Sequence, residues 1–231
     1  MIRACLTALA LVLPLAAPAG EPRGTGDLGV VIERATGSVL VVDQSDRAAL
    51  CRVEGLGDLS HASLTFSPDE RFAYVFGRDG GLSKVDILTC TLENRVVQAG
   101  NAIGGAISDD GKLVAVSNYE PGGVKVFDAD TLAQVADVPM GSKTVGLADA
   151  PGSRFVVATW DTGEVWVLDH SQDPAKPRVT KIEGVGANPY DALMTADGLT
   201  YIVGLFGEKG LTTIDLWQDD PQPRRILPDY G

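Results

Sequence analysis

The sequence is built on a repeat of 41 to 46 residues, and this repeat constrains the fold more than any other feature. Each copy contains a strand that ends in a hydrophobic residue followed by aspartate. The five aspartates are Asp43, Asp86, Asp128, Asp169 and Asp215. A strand–turn–strand segment precedes most of these strands, as in residues 64–76 and 106–116, and a looser strand follows. Four short strands in about 40–45 residues is the blade period of β-propellers.

The turns between these strands have the composition of tight β-turns. Ser67-Pro68-Asp69 and Asp109-Asp110-Gly111 are examples, because proline presets φ and glycine accepts positive φ. No segment shows a sustained apolar period of 3.6 residues, so we expect almost no helix. The sequence therefore predicts an all-β protein, a β-propeller of four-stranded blades with about five blades. A β-helix is the alternative, but its repeats are usually shorter.

The blade count predicts a ring that this sequence does not close. Residues 229–231 read like the start of a further repeat. A propeller closes by pairing its last strands with its first. We therefore expect the natural protein to contain more blades than this sequence, or to close with a partner.

The N-terminus has the pattern of a secretory signal peptide. A positive charge at Arg3 is followed by a ten-residue apolar run, and small residues at Ala17 and Ala19 mark a cleavage site. We assign residues 1–19 to the signal peptide and residues 20–231 to the propeller domain. Cys5 lies at the start of the apolar run and not after it, so no lipid anchor is expected. The predicted location is the periplasm, without a membrane anchor.

Net charge and cysteine content exclude several classes of protein. A formal net charge of −12 opposes binding to nucleic acid or to an anionic membrane surface. There is no Cys-x-x-Cys-His motif, so a covalent c-type haem is not expected. Cys51 and Cys90 follow the preceding repeat aspartates by eight and four residues, respectively. We therefore expect them to lie at different heights in adjacent blades and to remain free thiols.

The repeat also predicts which residues share one end of the propeller. In antiparallel blades, the loop that enters the first strand and the loop that leaves the second lie at the same end. The residues aligned to these loops are His61, Arg78, Asn118, Tyr119, Lys143, Thr144, Trp160, Asp161, Asn188, Tyr190 and Phe206. Aromatic side chains combined with one histidine and two cations suit a flat, anionic, conjugated ligand.

Structural explanations exist for each of these residues. A loop histidine is often merely solvated, and Arg78 next to Asp79 could form a weak surface ion pair. Tyr119 and Phe206 could pack between blades. His170 follows a repeat aspartate, so we expect it at the opposite end, exposed. Among functions, a protein-interaction propeller and a lactonase-like enzyme are the alternatives. The latter would need metal-binding acidic or amide residues at the axis, where small or hydrophobic residues are expected.

Residues 59–86 carry a more specific pattern, and the similarity extends over residues 27–231. A histidine precedes a Ser-x-x-Glu-Arg-Phe turn, followed by Val-Phe-Gly-Arg-Asp and a Val-Asp strand. This resembles the haem d1 propeller of cytochrome cd1 nitrite reductases, which implies eight blades. The resemblance implies that His61 is the axial ligand of a tetrapyrrole iron and the candidate catalytic residue. Arg78 would pair with ring carboxylates, with Asn118 and Tyr119 nearby.

Because it has no c-type haem motif, the chain resembles the branch of this family that makes haem d1 and has no covalent haem. The implied cofactor is non-covalent haem d1 or a d1-type precursor. The implied role is side-chain modification or oxidation of that tetrapyrrole, or its delivery to nitrite reductase. Other haem d1 assembly proteins are the implied partners. The residues do not distinguish an enzyme from a carrier.

Overall fold

The computed structural model describes residues 25–231, so the signal peptide assigned to residues 1–19 lies outside the described residues. A 3-10 helix at Thr25–Asp27 precedes five antiparallel sheets. The strands of the first two sheets are β1 (Leu28–Glu33), β2 (Ser38–Asp43), β3 (Ala48–Val53), β4 (Ser63–Phe66), β5 (Phe72–Phe76), β6 (Gly81–Asp86) and β7 (Thr91–Val97). Those of the third are β8 (Asn101–Ile107), β9 (Leu113–Glu120), β10 (Val124–Asp128) and β11 (Gln134–Val138). Those of the last two are β12 (Thr144–Ala150), β13 (Arg154–Thr159), β14 (Glu164–Asp169), β15 (Arg178–Ile182), β16 (Pro189–Met194), β17 (Thr200–Leu205), β18 (Leu211–Asp215) and β19 (Pro223–Ile226).

The sheets are propeller blades, which confirms the predicted all-β fold. Within the described residues, blade 1 contains three strands (β1–β3) and blades 2 to 5 contain four each. Within each blade, strands that are consecutive in sequence pair antiparallel, and β4, β8, β12 and β16 are the first strands of their blades. The five blades match the five copies of the sequence repeat.

Each central blade is packed on both faces, which explains its nearly continuous apolar strands. All six residues of β6 are buried. Tyr74 and Phe76 of blade 2 pack against Val114 and Phe127 of blade 3. The Tyr74 hydroxyl also donates a hydrogen bond of 2.8 Å to the Ala129 carbonyl oxygen. Blades therefore cohere through buried apolar contacts and selected polar ones.

The repeat aspartates form the turns that follow the third strands. Asp128 accepts hydrogen bonds from the Thr131 hydroxyl at 2.7 Å and from the Thr131 backbone N–H at 2.8 Å. These bonds lower the pKa of the Asp128 carboxyl. Asp169 accepts an equivalent bond from the Ser171 N–H at 3.0 Å. The repeat signal therefore reports turn formation.

Three of the first strands are interrupted by β-bulges near the end at which they begin. The register shifts within residues 101–104 of β8, between Val145 and Ala148 of β12, and between Pro189 and Ala192 of β16. The β4–β5 pairing is regular. A bulge places two residues opposite one and re-aims side chains.

The prediction of free thiols is wrong, because Cys51 and Cys90 form a disulfide with a Cα–Cα distance of 6.3 Å. Cys51 belongs to β3 of blade 1, whereas Cys90 lies in the turn between β6 and β7 of blade 2. That turn meets the neighbouring blade, where both cysteines pack against one apolar cluster. Counting residues from the aspartates misses this because only Cys51 is in a strand.

The prediction of an exposed His170 is also wrong, because its side chain is buried. Its Nδ1 lies 2.8 Å from the Pro174 carbonyl oxygen, and its ring packs edge-on against Phe155 at 5.7 Å between centroids. The segment that follows β14 folds back over the ring and covers it.

A search of residues 25–231 identified no helix with the length and apolar character needed to cross a membrane.

Candidate functional site

A cavity of about 400 Å³ lies at the end of the propeller that the repeat predicted. Residues that precede or begin first strands line one part of it, namely His61, Asn101, Ile103 and Tyr190. Residues that follow or end second strands line the rest, namely Arg78, Tyr119, Trp160 and Phe206. We call this space the rim cavity. The antiparallel blade topology therefore gathers side chains from blades 2 to 5 around one space.

His61 faces the rim cavity from the loop before β4. Its side chain is exposed, and within residues 25–231 its ring makes no hydrogen bond. The adjacent Ser60 is held by a backbone hydrogen bond of 2.9 Å to the Asp58 carboxylate. The loop is therefore ordered while the imidazole keeps both nitrogens available.

Arg78 enters the rim cavity from the loop between β5 and β6. Its backbone N–H donates to the Asp58 carbonyl oxygen at 2.8 Å, which ties this loop to the one carrying His61. Asp79 binds Arg95 at 2.5 Å and leaves Arg78 without an ion pair in the described part of the chain. The Arg78 charge adds to hydrogen bonds from Ser60, the larger cause, in lowering the pKa of Asp58. An unpaired guanidinium on an acidic protein is suited to an anionic ligand.

Three aromatic side chains form one wall of the rim cavity. The Trp160 ring centroid lies 5.4 Å from that of Tyr190 and 5.2 Å from that of Phe206. The Trp160–Tyr190 interplanar angle is 79°. Phe206 is 75% exposed despite these contacts. This wall offers apolar surface to a planar ligand, since aromatic rings stack on one another at such distances.

Tyr119 and Lys143 form the adjoining part of the rim. Lys143 Nζ lies 5.4 Å from the Tyr119 ring centroid and 3.1 Å from Asp161 Oδ1. The hydrogen bond to Asp161 raises the pKa of Lys143. Lys143 therefore keeps its charge but is paired with Asp161, whereas Arg78 has no such partner among the described residues.

The structure does not bring Asn118 into the cavity, which corrects its assignment as a ligand-binding residue. The Asn118 side chain is buried, and its amide exchanges hydrogen bonds of 2.8 and 3.2 Å with that of Gln98. Its backbone N–H contacts Thr144 Oγ1 at 3.0 Å. Asn118 faces away from Tyr119 because successive strand residues point to opposite sides. Its role is to fix the segment that presents Tyr119.

The other predicted residues of this end divide between structure and rim. Thr144 is buried and donates to the Asn118 and Gly123 carbonyl oxygens at 2.9 and 2.7 Å. Asn188 Nδ2 donates to the Trp160 carbonyl oxygen at 3.2 Å. Thr144 therefore supports the segment that carries Tyr119, and Asn188 supports the loop that carries Trp160.

Asn101 and Ile103 were missed by the sequence reasoning. The aligned residue of that blade is Ala102, which is fully buried. The bulge in β8 turns its two neighbours towards the rim cavity. The adjacent glycines Gly104 and Gly105 within the strand are a signal for such a bulge, but repeat alignment alone does not identify the residues that it turns.

The residues of the rim cavity suit a metal that arrives with its own equatorial ligands. Among residues 25–231, no group of three or more His, Cys, Asp or Glu side chains could hold a metal ion. An iron tetrapyrrole brings its own nitrogen ligands and takes its remaining contacts from axial side chains. One unpartnered imidazole, an unpaired guanidinium and aromatic walls therefore fit such a group.

These features define a β-propeller with a histidine- and arginine-lined cavity at one end. The chain belongs to the Cytochrome D1 heme domain family, which it matches over residues 23–231. It is 56% identical to Protein NirF of Stutzerimonas stutzeri, over 100% of this chain and 61% of that protein. It is 57% identical to Protein NirF of Pseudomonas aeruginosa, over 90% of this chain and 55% of that protein. The chain thus spans little more than half the length of these relatives.

More distant relatives share the fold. The dihydro-heme d1 dehydrogenase of Pseudomonas aeruginosa is 32% identical over 71% of this chain and 36% of that protein. The solved structure of dihydro-heme d1 dehydrogenase NirN in complex with DHE has a TM-score of 0.78 and 27% identity. It covers 94% of this chain and 46% of that one. The β-propeller domain of Myceliophteria_thermophila Cps50 (Swd1) has a TM-score of 0.71 at 13% identity, covering 89% and 69%, which supports the fold alone.

Proposed function

We propose that this chain takes part in the production of haem d1 by binding a late d1-type tetrapyrrole, haem d1 or a precursor, in the rim cavity. The observation that carries the proposal is that His61 and Arg78, neither of which has a side-chain partner among residues 25–231, line one cavity beside an aromatic wall. The similarity to Protein NirF and to a dehydrogenase named for dihydro-heme d1 supports the ligand class.

His61 would hold the tetrapyrrole by binding its iron through an imidazole nitrogen. Arg78 binds ring carboxylates, for which a planar guanidinium offers two parallel donors. Trp160, Tyr190 and Phe206 cover apolar parts of the macrocycle and exclude water from them. The bound iron macrocycle supplies the redox-active centre. The protein's own residues fix the orientation of its edges.

The chain acts on the ligand by side-chain modification or oxidation, or delivers it for nitrite reductase. Its partners are the tetrapyrrole, other haem d1 assembly proteins and cytochrome cd1 nitrite reductase. The protein acts in the periplasm, as the signal-peptide pattern of the N-terminal sequence indicates. These statements rest on the sequence pattern and on the family, and export is tested by the mature N-terminus of protein isolated from the periplasm.

The decisive experiment is a spectroscopic titration of the purified protein with haem d1. We expect saturable binding with an absorption spectrum of imidazole-ligated iron. His61→Ala should remove that spectral signature and stop haem d1 production in a deletion strain. His170→Gln is the matched control, because it changes a histidine at the opposite end of the propeller and should preserve the signature.

Retention of the same spectrum by His61→Ala, together with complementation of the deletion strain, would exclude axial ligation by His61. Failure of the unaltered protein to bind any tetrapyrrole would favour a protein-interaction propeller instead.

A further inference from the structure

A second cavity, which we call the inner channel, adjoins the rim cavity. It has a volume of about 240 Å³ and shares His61, Ile103 and Tyr190 with the rim cavity. Residues of the first strands line most of it, and they include the small residues Gly104 and Gly146. A ligand bound at His61 therefore has access to two connected spaces, one at the rim and one along the inner strands.

The two spaces carry opposite charges. Arg78 lines the rim cavity and does not line the inner channel, whereas Asp191 lines the inner channel and does not line the rim cavity. The other residues that line the channel and can titrate are His61 and Tyr190. A ligand that extends through both spaces meets a guanidinium at one edge and a carboxylate at another.

Asp191 reaches the channel through the bulge in β16. Residues 190 and 191 lie where the register shifts, between the Pro189–Leu205 and Ala192–Val203 pairs. Asp191 is exposed, and within the described residues its carboxylate has no hydrogen bond and no ion pair. The other aspartates of this end have partners, since Asp79 binds Arg95 and Asp161 binds Lys143. Asp191 thus keeps its carboxylate available to a ligand.

A carboxylate facing an anionic ligand has two possible consequences. If both groups stay ionised, they repel each other and binding is weakened. If one proton is shared, an O–H donates to the remaining carboxylate, and the charge-assisted bond is stronger than a neutral one. Two carboxyl groups within hydrogen-bond reach hold one proton between them because both cannot ionise at that distance.

We propose that Asp191 binds a carboxyl substituent of the ligand on the channel side and shares one proton with it. This inference rests on the proposed function and assigns the channel edge of the same site. Arg78 donates to an ionised carboxylate at the rim, and Asp191 forms the proton-sharing pair with a second carboxyl group in the channel. The site therefore selects tetrapyrroles that carry carboxyl groups on opposite edges, and binding takes up a proton from water.

Two iron porphyrins distinguish a ligand contact at Arg78 from one at Asp191. Iron protoporphyrin IX carries its two carboxylates on one edge, which Arg78 binds. Iron coproporphyrin III carries four, distributed over all four rings, so one reaches Asp191. Calorimetric titrations at pH 7 in buffers of different ionisation enthalpy count the protons taken up per ligand. Protons exchanged elsewhere in the protein on binding are common to all variants and cancel in the comparison.

We expect the unaltered protein to take up about one proton more per iron coproporphyrin III bound than the Asp191→Asn variant takes up. Iron protoporphyrin IX should show no difference between the two proteins. Asp219→Asn is the matched control, because it removes an exposed carboxylate that lines neither cavity and should behave like the unaltered protein.

Equal proton counts for the unaltered protein and Asp191→Asn, with both porphyrins bound, would overturn this inference and leave the proposed function standing. Tighter binding of iron coproporphyrin III by Asp191→Asn without a change in proton count would also overturn it, because it would show simple repulsion. Failure of both porphyrins to bind to a protein that binds haem d1 would overturn this inference alone, whereas failure of haem d1 to bind as well would overturn the proposed function.

Discussion

Cys51 of blade 1 is bonded to Cys90 of blade 2 across 39 residues of sequence. This bond ties the three-stranded first sheet to its neighbour. We expect thiol counting on the unfolded, non-reduced mature protein to find neither cysteine free. The double variant Cys51→Ser/Cys90→Ser should lose about 3 to 4 kcal/mol of unfolding free energy, because the crosslink restricts the unfolded chain. Full reactivity of both thiols would contradict the bond.

His170 should make the protein sensitive to mild acid. Burial lowers the pKa of His170 from the ordinary value of 6.5, and within residues 25–231 its buried Nε2 has no hydrogen-bond partner. The unfolded chain therefore binds a proton more readily than the folded one. The contribution of neutral His170 to the free energy of unfolding is complete above pH 6.5 and is lost as the pH falls below that value.

Denaturant titrations between pH 8 and pH 5 test this dependence. His170→Gln should be less stable than the unaltered protein at pH 8 and should lose less stability on acidification. Parallel stability curves for the two proteins would show that His170 does not titrate on unfolding.

Two adjacent glycines of β8 should differ sharply in their tolerance of alanine. A Cβ at Gly105 would lie 2.2 Å from Phe76 Cζ and 2.6 Å from the Ala115 carbonyl oxygen. At Gly104 the nearest atoms are serine hydroxyls at 3.7 Å. We expect Gly105→Ala to cost about 1 to 3 kcal/mol, as overpacking does, and Gly104→Ala to stay within about 0.5 kcal/mol. Thermal or denaturant unfolding of both variants measures the difference.

Arg78→Ala should weaken tetrapyrrole binding without changing the axial spectrum. Loss of a charge-assisted contact predicts a dissociation constant raised on the order of tenfold or more. Arg224→Ala is the control, because it removes an exposed cation that does not line the rim cavity. A change in the iron spectrum, or equal effects of both substitutions, would argue against a carboxylate contact at Arg78.

Phe206→Ala should separate binding from folding. Phe206 is 75% exposed, so its loss should change the unfolding free energy by about 0.5 kcal/mol or less. Its ring belongs to the aromatic wall, so affinity for the tetrapyrrole should fall up to about tenfold. Trp217→Ala removes an aromatic ring that is 65% exposed and does not line the cavity, and it should bind normally.

The sequence predicts the fold well because the repeat aspartates and turn residues are local signals. They align the blades, and antiparallel topology then places Arg78, Tyr119, Trp160 and Phe206 at one end. The structure bears out this placement. Their roles towards a ligand stay predictions.

What the sequence does not predict depends on which way a side chain points and on contacts between blades. Asn118 and Tyr119 are adjacent, yet the former is buried and the latter lines the cavity. The disulfide depends on how a turn of one blade meets a strand of another. His170 is buried by a segment whose path no turn motif specifies. Each of these outcomes is set by tertiary packing.

The bulges in β8, β12 and β16 divide each of these strands into two segments with different register. Past the bulge, the strand keeps a regular ladder with its neighbour and stays in the packed body of its blade. Before it, the chain presents residues that line the rim cavity or the inner channel. Exchanges of side chains at Asn101 or Asp191 should therefore disturb blade packing less than exchanges at Ile103 or Tyr190, which pack against the core cluster of blades 4 and 5. A propeller of this design can change its ligand while conserving its framework.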